Sequence, residues 1–244
     1  MSAVLGIDAA WTNRSASGVA LVENTDGKWR CVKSASSYQD FNGCNSHQDL
    51  LTCGSELTKR NIQVIAVDMP LAKTPITGRR IADQAVSLAF GHAYCSTHSP
   101  NPDRPGRIGV DLHTCCERNG FGLATDEVIT PALIEVYPHP AILTYLHLAK
   151  RLPYKVQKAR KYWPDLTPDH RRLNILSSFS LLYGYLTKRL GPLDFALPDT
   201  ATSSELKKME DRLDAITCAV VGIDYLEGKA RPYGNSDAAI WIPH

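Results

Sequence analysis

Ala3-Val-Leu-Gly-Ile-Asp8, Gly18-Val-Ala-Leu-Val22 and Lys28-Trp-Arg-Cys-Val-Lys33 are the segments on which the fold turns. The first is a run of small and apolar residues that ends in an acid. A turn is expected at 13–17, and Asn24-Thr-Asp-Gly27 is a second turn sequence. Short apolar runs separated by turn residues predict an antiparallel meander of three strands. Further along, the pattern changes. Residues 46–60 place Leu50, Leu51 and Leu57 on one side, as a helix does. Residues 62–67 are a nearly continuous apolar run, as in a strand covered on both faces, and Asp68 and Pro70 end it. A helix is predicted over 79–91, a strand over 132–137 carrying Glu135, and helices over 139–150, 169–190 and 203–227. Residues 95–130, with Pro100, Pro102 and Pro105, read as a long irregular loop.

The 244 residues suffice for one large domain and only marginally for two. No repeat, low-complexity tract or linker divides them, so a single domain over 1–244 is expected. With 43% hydrophobic and 21% charged residues the composition is that of a folded globular chain. A net charge of +2 excludes a wholly basic nucleic-acid binder but leaves room for a local basic patch. No apolar run approaches the roughly 20 residues of a membrane span, and the first residues lack a secretory signal. Seven cysteines without a regular framework suit reduced thiols in a cytoplasm. The order of elements, a meander followed by strand–helix units, predicts a mixed α/β sheet with helices on its faces. That is the order of a ribonuclease-H-like fold, here with a long Pro-rich insertion.

Asp8, Asp68 and Glu135 each stand at or near the end of an apolar run. One such acid is commonly a turn or cap residue. Three together fit the rule that open α/β sheets bind ligands outside the carboxyl ends of their strands. A fourth acid comes from the last long helix. After Asp214 come nine residues without a charge, 215–223, so that half of the helix is buried nearly all round. Asp214 stands where the helix passes from wet to dry, with Asp211 one turn before it. The plain alternative is that both pair with Lys207 or Arg212. Carboxylates gathered in one place repel each other unless a cation lies between them. Oxygen ligands without a matching His or Cys set suit Mg²⁺ or Mn²⁺. The expected metal ligands are therefore Asp8, Asp68, Glu135, Asp214 and Asp211, the first four of them also catalytic, in phosphoryl chemistry assisted by one or two ions.

Several motifs now form a pattern: Gly6-Ile-Asp-Ala-Ala-Trp-Thr12, Ser17-Gly-Val-Ala-Leu21, Val67-Asp-Met-Pro-Leu71, Gly78-Arg-Arg-Ile-Ala-Asp83, Ser96-Thr-His-Ser-Pro-Asn101, Glu135-Val-Tyr-Pro-His-Pro140, Glu210-Asp-Arg-Leu-Asp-Ala215 and Ala239-Ile-Trp-Ile-Pro243. In this order and over nearly the whole chain they resemble the domain of unknown function 429 family. The resemblance implies a ribonuclease-H-like fold and a nuclease activity that is itself inferred from fold and acids. It also implies that Asp8, Asp68 and Asp214 match the acidic set of ribonuclease-H-like enzymes, with Glu135 as a further member.

Residues 150–172 hold eight basic and two acidic residues, with Tyr154, Tyr162 and Trp163 between them. Such a track suits a single strand, phosphates meeting Lys and Arg while bases stack; the alternative is a solvated connection whose aromatics pack on the body. Lys155, Arg80 and His98 are the expected substrate contacts. His92, Cys95, His98, His113, Cys115 and Cys116 lie close in sequence, but their spacing matches no zinc finger or ribbon. The leading expectation is a metal-dependent nuclease acting on nucleic acid or nucleotide. Two alternatives remain: a binding or regulatory protein with an inactive site, and a phosphotransferase related to actin-like ATPases and sugar kinases. For the latter no Gly-rich phosphate loop is visible.

Overall fold

Val4, Leu5 and Ile7 are shielded on both faces of the first strand, which fixes that strand in the interior of a sheet. In the computed structural model, which describes residues 2–12 and 16–244, β1 (Ser2–Asp8) pairs antiparallel with β2 (Gly18–Thr25) and parallel with β4 (Asn61–Val67). β2 pairs antiparallel with β3 (Lys28–Ala35), which completes the expected meander. The turn expected at 13–17 falls in part outside the described residues. β6 (Ala132–Val136) adds parallel to β4, and the short β5 (Gly122–Leu123) pairs with β6. A closing hairpin, β7 (Ala230–Gly234) and β8 (Ala239–Pro243), docks through β8, parallel to β6. The eight-stranded mixed sheet runs β3-β2-β1-β4-β6-β8-β7, with β5 beside β6.

Strand alternation sends successive side chains to opposite faces. Val4, Ala20, Val22, Val64, Ala66, Ile134 and Val136 form one core with α5 (Pro138–Tyr145), α7 (Pro168–Leu190) and α8 (Ser203–Leu226). Ala3, Leu5, Ile7, Val19, Leu21, Ile65 and Val67 form the other with α1 (Tyr38–Asn42), α2 (His47–Thr58) and α4 (Arg107–Arg118). α3 (Ile81–Phe90) packs Ala82 and Val86 on Ile240 and Ile242 of β8. The short α6 (Ala159–Tyr162) precedes α7.

α8 begins at a capping box, Thr202 with Glu205, and every residue from Leu213 to Tyr225 is buried, as the uncharged run predicts. It lies against β1 at Gly6: a Cβ there would stand 2.2 Å from the Ala215 carbonyl oxygen and 2.5 Å from the Ala219 nitrogen. At Gly18 of β2 a Cβ would meet the Asp211 carbonyl at 2.2 Å. Two hydrogen side chains thus let the helix sit on the sheet backbone, directly beneath Asp211 and Asp214.

Three expectations need correction. Residues 95–130 are not irregular throughout, because Ile108, Leu112, Cys115 and Cys116 make an apolar stripe that winds α4. The helix expected over 139–150 stops at Tyr145. The final strands, unforeseen, include an edge strand that tolerates Pro232 because its outer amides need no partner. All seven cysteines are free thiols. Among the described residues no helix is long and apolar enough to cross a membrane.

Candidate functional site

β1 and β4 end side by side. Ile7 is in register with Val67, and the Asp68 amide donates to the Ile7 carbonyl at 2.9 Å. Asp8 continues the Val4–Gly6 face and Asp68 the Val64–Ala66 face, so both acids stand on the α8 side of the sheet. They open into a cleft of about 990 Å³ that Arg80, His98, Arg151, Lys155, Lys158 and Asp211 also line.

α8 lays a carboxylate ladder across this opening. Asp214, fully buried, accepts the Tyr154 hydroxyl at 2.5 Å and the ammonium of Lys155. Lys155 lies 3.4 Å from Glu210, which also accepts the Val156 amide at 2.6 Å and Lys207 at 2.9 Å. Lys207 in turn holds Asp211. Asp8 and Asp68 differ from these acids. Among the described residues neither carboxylate receives a side-chain hydrogen bond or an ion pair, although both are half-buried.

The electrostatics follow from that difference. Burial pushes Asp68 up to about 7, with Asp214 and Glu135 adding to the shift and Lys155 opposing it. Burial raises Asp8 well above the carboxylate range, and Asp214 raises it further against the pull of Lys155. Burial lifts Asp211 to about 6 despite Lys207, and lifts Asp214 despite Lys155. Glu210 alone of these helix acids is lowered, its burial offset by Lys155 and Lys207. Burial and the crowding of like charges at this end of the cleft thus make Asp8, Asp68, Asp211 and Asp214 hold their protons more tightly than exposed carboxyls do.

Glu135 lines the same cleft and adds to the Asp68 shift, but its carboxylate, unlike those of Asp8 and Asp68, is already engaged among the described residues. It is in register with Val67 and follows Leu133 on the face opposite Asp68. There Arg80 grips both its oxygens, at 2.5 and 2.7 Å, and the Leu71 amide donates to it at 2.7 Å. Arg80 is spent on the same pair: its guanidinium also binds Asp83 at 2.8 Å and the Leu71 carbonyl at 2.7 Å, and its side chain is 7% exposed. The two form a buried clamp joining β6 to the start of α3. Arg80→Ala leaves Glu135 and Asp83 buried without a cation, and we expect it to cost about 3–5 kcal/mol. A denaturant midpoint equal to wild type would show that the clamp is dispensable.

The other expected contacts divide. Lys155 is in the cleft but already paired with Asp214, and His98 is on the rim. Tyr154, read as a face for base stacking, is fully buried against His139 and Phe179 and serves Asp214 instead. Trp163 packs on the helical core. Sequence reasoning missed Glu210 and Arg151. Glu210 was legible one turn before Asp214 on the same helix; nothing local sets Arg151 apart from its basic neighbours.

The donor chemistry of Asp8 and Asp68 fits a hard divalent ion, since both are carboxylates unengaged by the described residues, with open space before them. As they stand, no three His, Cys, Asp or Glu among the described residues converge closely enough to enclose one. An ion here would be held by these two, with water and substrate oxygens completing its shell. The sequence model of a family described as "Protein of unknown function (DUF429)" matches residues 6–238. No curated protein and no solved structure matches the chain.

Proposed function

The chain belongs to the DUF429 family, and on that premise we propose that it is a divalent-cation-dependent phosphodiester hydrolase, a nuclease, on a ribonuclease-H-like fold. The antiparallel meander continued by parallel strands, with helices on both faces and an acid closing the first strand, supports the fold assignment. The observation that carries the activity is the pair Asp8 and Asp68, two carboxylates without a partner among the described residues. They stand on neighbouring strand ends and face a cleft whose other wall is cationic.

Asp8 and Asp68 would hold Mg²⁺ or Mn²⁺. When bound, such an ion makes coordinated water a stronger nucleophile and stabilises a leaving oxygen. Asp214, fixed by Tyr154 and Lys155, sets the negative field behind the pair, and Asp211 extends it toward the mouth. Lys155 keeps its proton throughout, because Asp214, Tyr154 and Glu210 outweigh its burial, and presents a permanent positive charge beside the reacting phosphate. Arg80 and Glu135 keep β6 and α3 rigid under the cleft floor. The substrate is nucleic acid or nucleotide.

The test is a cleavage panel of labelled single- and double-stranded DNA and RNA and short nucleotides, with Mg²⁺ or Mn²⁺, beside calorimetric titration with Mn²⁺. Cleavage that a chelator stops, with Mn²⁺ binding, is the expected result. Mn²⁺ at a hundred times its dissociation constant should also stabilise the protein by about 2.7 kcal/mol. Failure to bind Mn²⁺, or cleavage indifferent to chelator, overturns the reading.

A further inference from the structure

Arg151 is anchored by its backbone, its amide donating to the Ala93 carbonyl at 2.9 Å, and its side chain lines the cleft. Among the described residues the guanidinium has no ion pair, and its Nε is buried without a hydrogen-bond partner. Buried cations are ordinarily paired. Three neighbours share the condition. Lys158 is half-buried without an ion pair among the described residues, and burial and then Arg151 hold its ammonium below the usual lysine range. His98 on the rim is lowered by burial, Lys158, Arg104 and Arg151. His139, at the inner end, is 6% exposed with Nδ1 unpartnered, and burial and then Arg151 keep it neutral. No acid makes a direct contact with Arg151 or Lys158 among the described residues; Asp68 and Arg151, and Glu210 and Lys158, interact through space. The cleft is therefore bipolar: among the described residues it has unpartnered carboxylates at one end and unpartnered cations at the other, with orphaned donors between.

We infer that Arg151, Lys158 and His98 form a phosphate subsite distinct from the carboxylates, which seats a phosphate group of the substrate while another meets Asp8 and Asp68. Arg151 supplies a planar fork that matches two phosphate oxygens, and Lys158 a mobile point charge. That the rest of the ligand is a nucleotide chain rests on the function proposed above; the binding of phosphate does not.

The experiment is calorimetry in EDTA at low salt, with inorganic phosphate and with a short oligonucleotide carrying or lacking a 5′-phosphate. The proteins are wild type, Arg151→Gln, Lys158→Gln, the double variant and Asp8→Asn, their folding checked by circular dichroism. Wild type and Asp8→Asn are expected to bind without metal, each single variant to bind about tenfold more weakly, and the double variant to lose about two from the salt slope. Lys158→Gln, which leaves the unpartnered buried Nε of Arg151 untouched, carries the test should Arg151→Gln fail to fold. A gain from the 5′-phosphate assigns the subsite to a terminal phosphate; equal binding assigns it to a backbone phosphate, and both sustain it. Undiminished binding by the double variant, or binding that needs metal and Asp8, overturns it. Phosphate binding without any cleavage would sink the nuclease reading and leave the subsite. Cleavage without metal-free phosphate binding would do the reverse.

Discussion

Asp68→Asn is expected to lower metal-dependent cleavage by on the order of 10²–10³-fold or more, and the same variant is expected to melt at a higher temperature than wild type at pH 8. Both effects come from one carboxylate. In the folded chain burial and Asp214 place its pKa at about 7, against 3.8 when exposed. A raised pKa means that the folded state holds its proton more tightly than the unfolded one. The side chain's stabilising contribution is complete below about pH 4, declines as pH rises, and is lost above about pH 7. Asparagine never ionises, so the variant escapes that decline. Its advantage should be absent near pH 4 and reach on the order of 2–4 kcal/mol at pH 8, an upper range because Asp8 titrates with it. Saturating Mn²⁺ should reverse the ranking, because only wild type gains from binding. Melting curves from pH 4 to 8, with and without Mn²⁺, check this. An offset that does not vary with pH would show that Asp68 is already neutralised by some other partner.

Gly6→Ala is expected to destabilise by at least about 3 kcal/mol and to leave little folded protein. The obstruction is backbone on both sides, the Ala215 carbonyl and the Ala219 amide, so no rotamer change relieves it. The helix must lift off the sheet, opening the core around Val4 and Ala66 and drawing Asp214 away from Asp8. Gly184 provides the contrast: it lies within α7, and a methyl group placed on it would meet nothing within 4 Å. Gly184→Ala should therefore gain about 0.5–1 kcal/mol from helix propensity. Denaturant midpoints of the two variants should move in opposite directions. A folded Gly6→Ala with a wild-type midpoint would sink the close-packing account.

The meander, the strand ending in Asp68 and the buried half of α8 were legible because each is governed by local periodicity and turn chemistry. Glu135 illustrates what local pattern leaves out. Its place at a strand end marks it as equal to Asp8 and Asp68, yet period-two alternation counted from Ile134 and Val136 already sends it to the other face. Only the fold reveals that Arg80 waits there. The strand at 239–243 was obscured because its pairing partner, β6, lies about a hundred residues earlier, and its hairpin mate contains a proline. Arg151 belongs to the same class. Its lack of a partner among the described residues is a property of the folded surroundings and leaves no trace in the basic run around it.

The place of β8 inside the sheet, between β6 and β7, carries a consequence for synthesis. While the ribosome is still working on residues before 203, Asp8 and Asp68 can already lie side by side on paired strands, but the helix that flanks them does not yet exist. Nor does the strand that extends β6. A nascent chain at that stage exposes a wide apolar face and two adjacent acids with no Lys155–Asp214 pair behind them. The helix that carries Asp211 and Asp214 and the strand that extends the sheet are thus the last parts of the cleft's surroundings to be made.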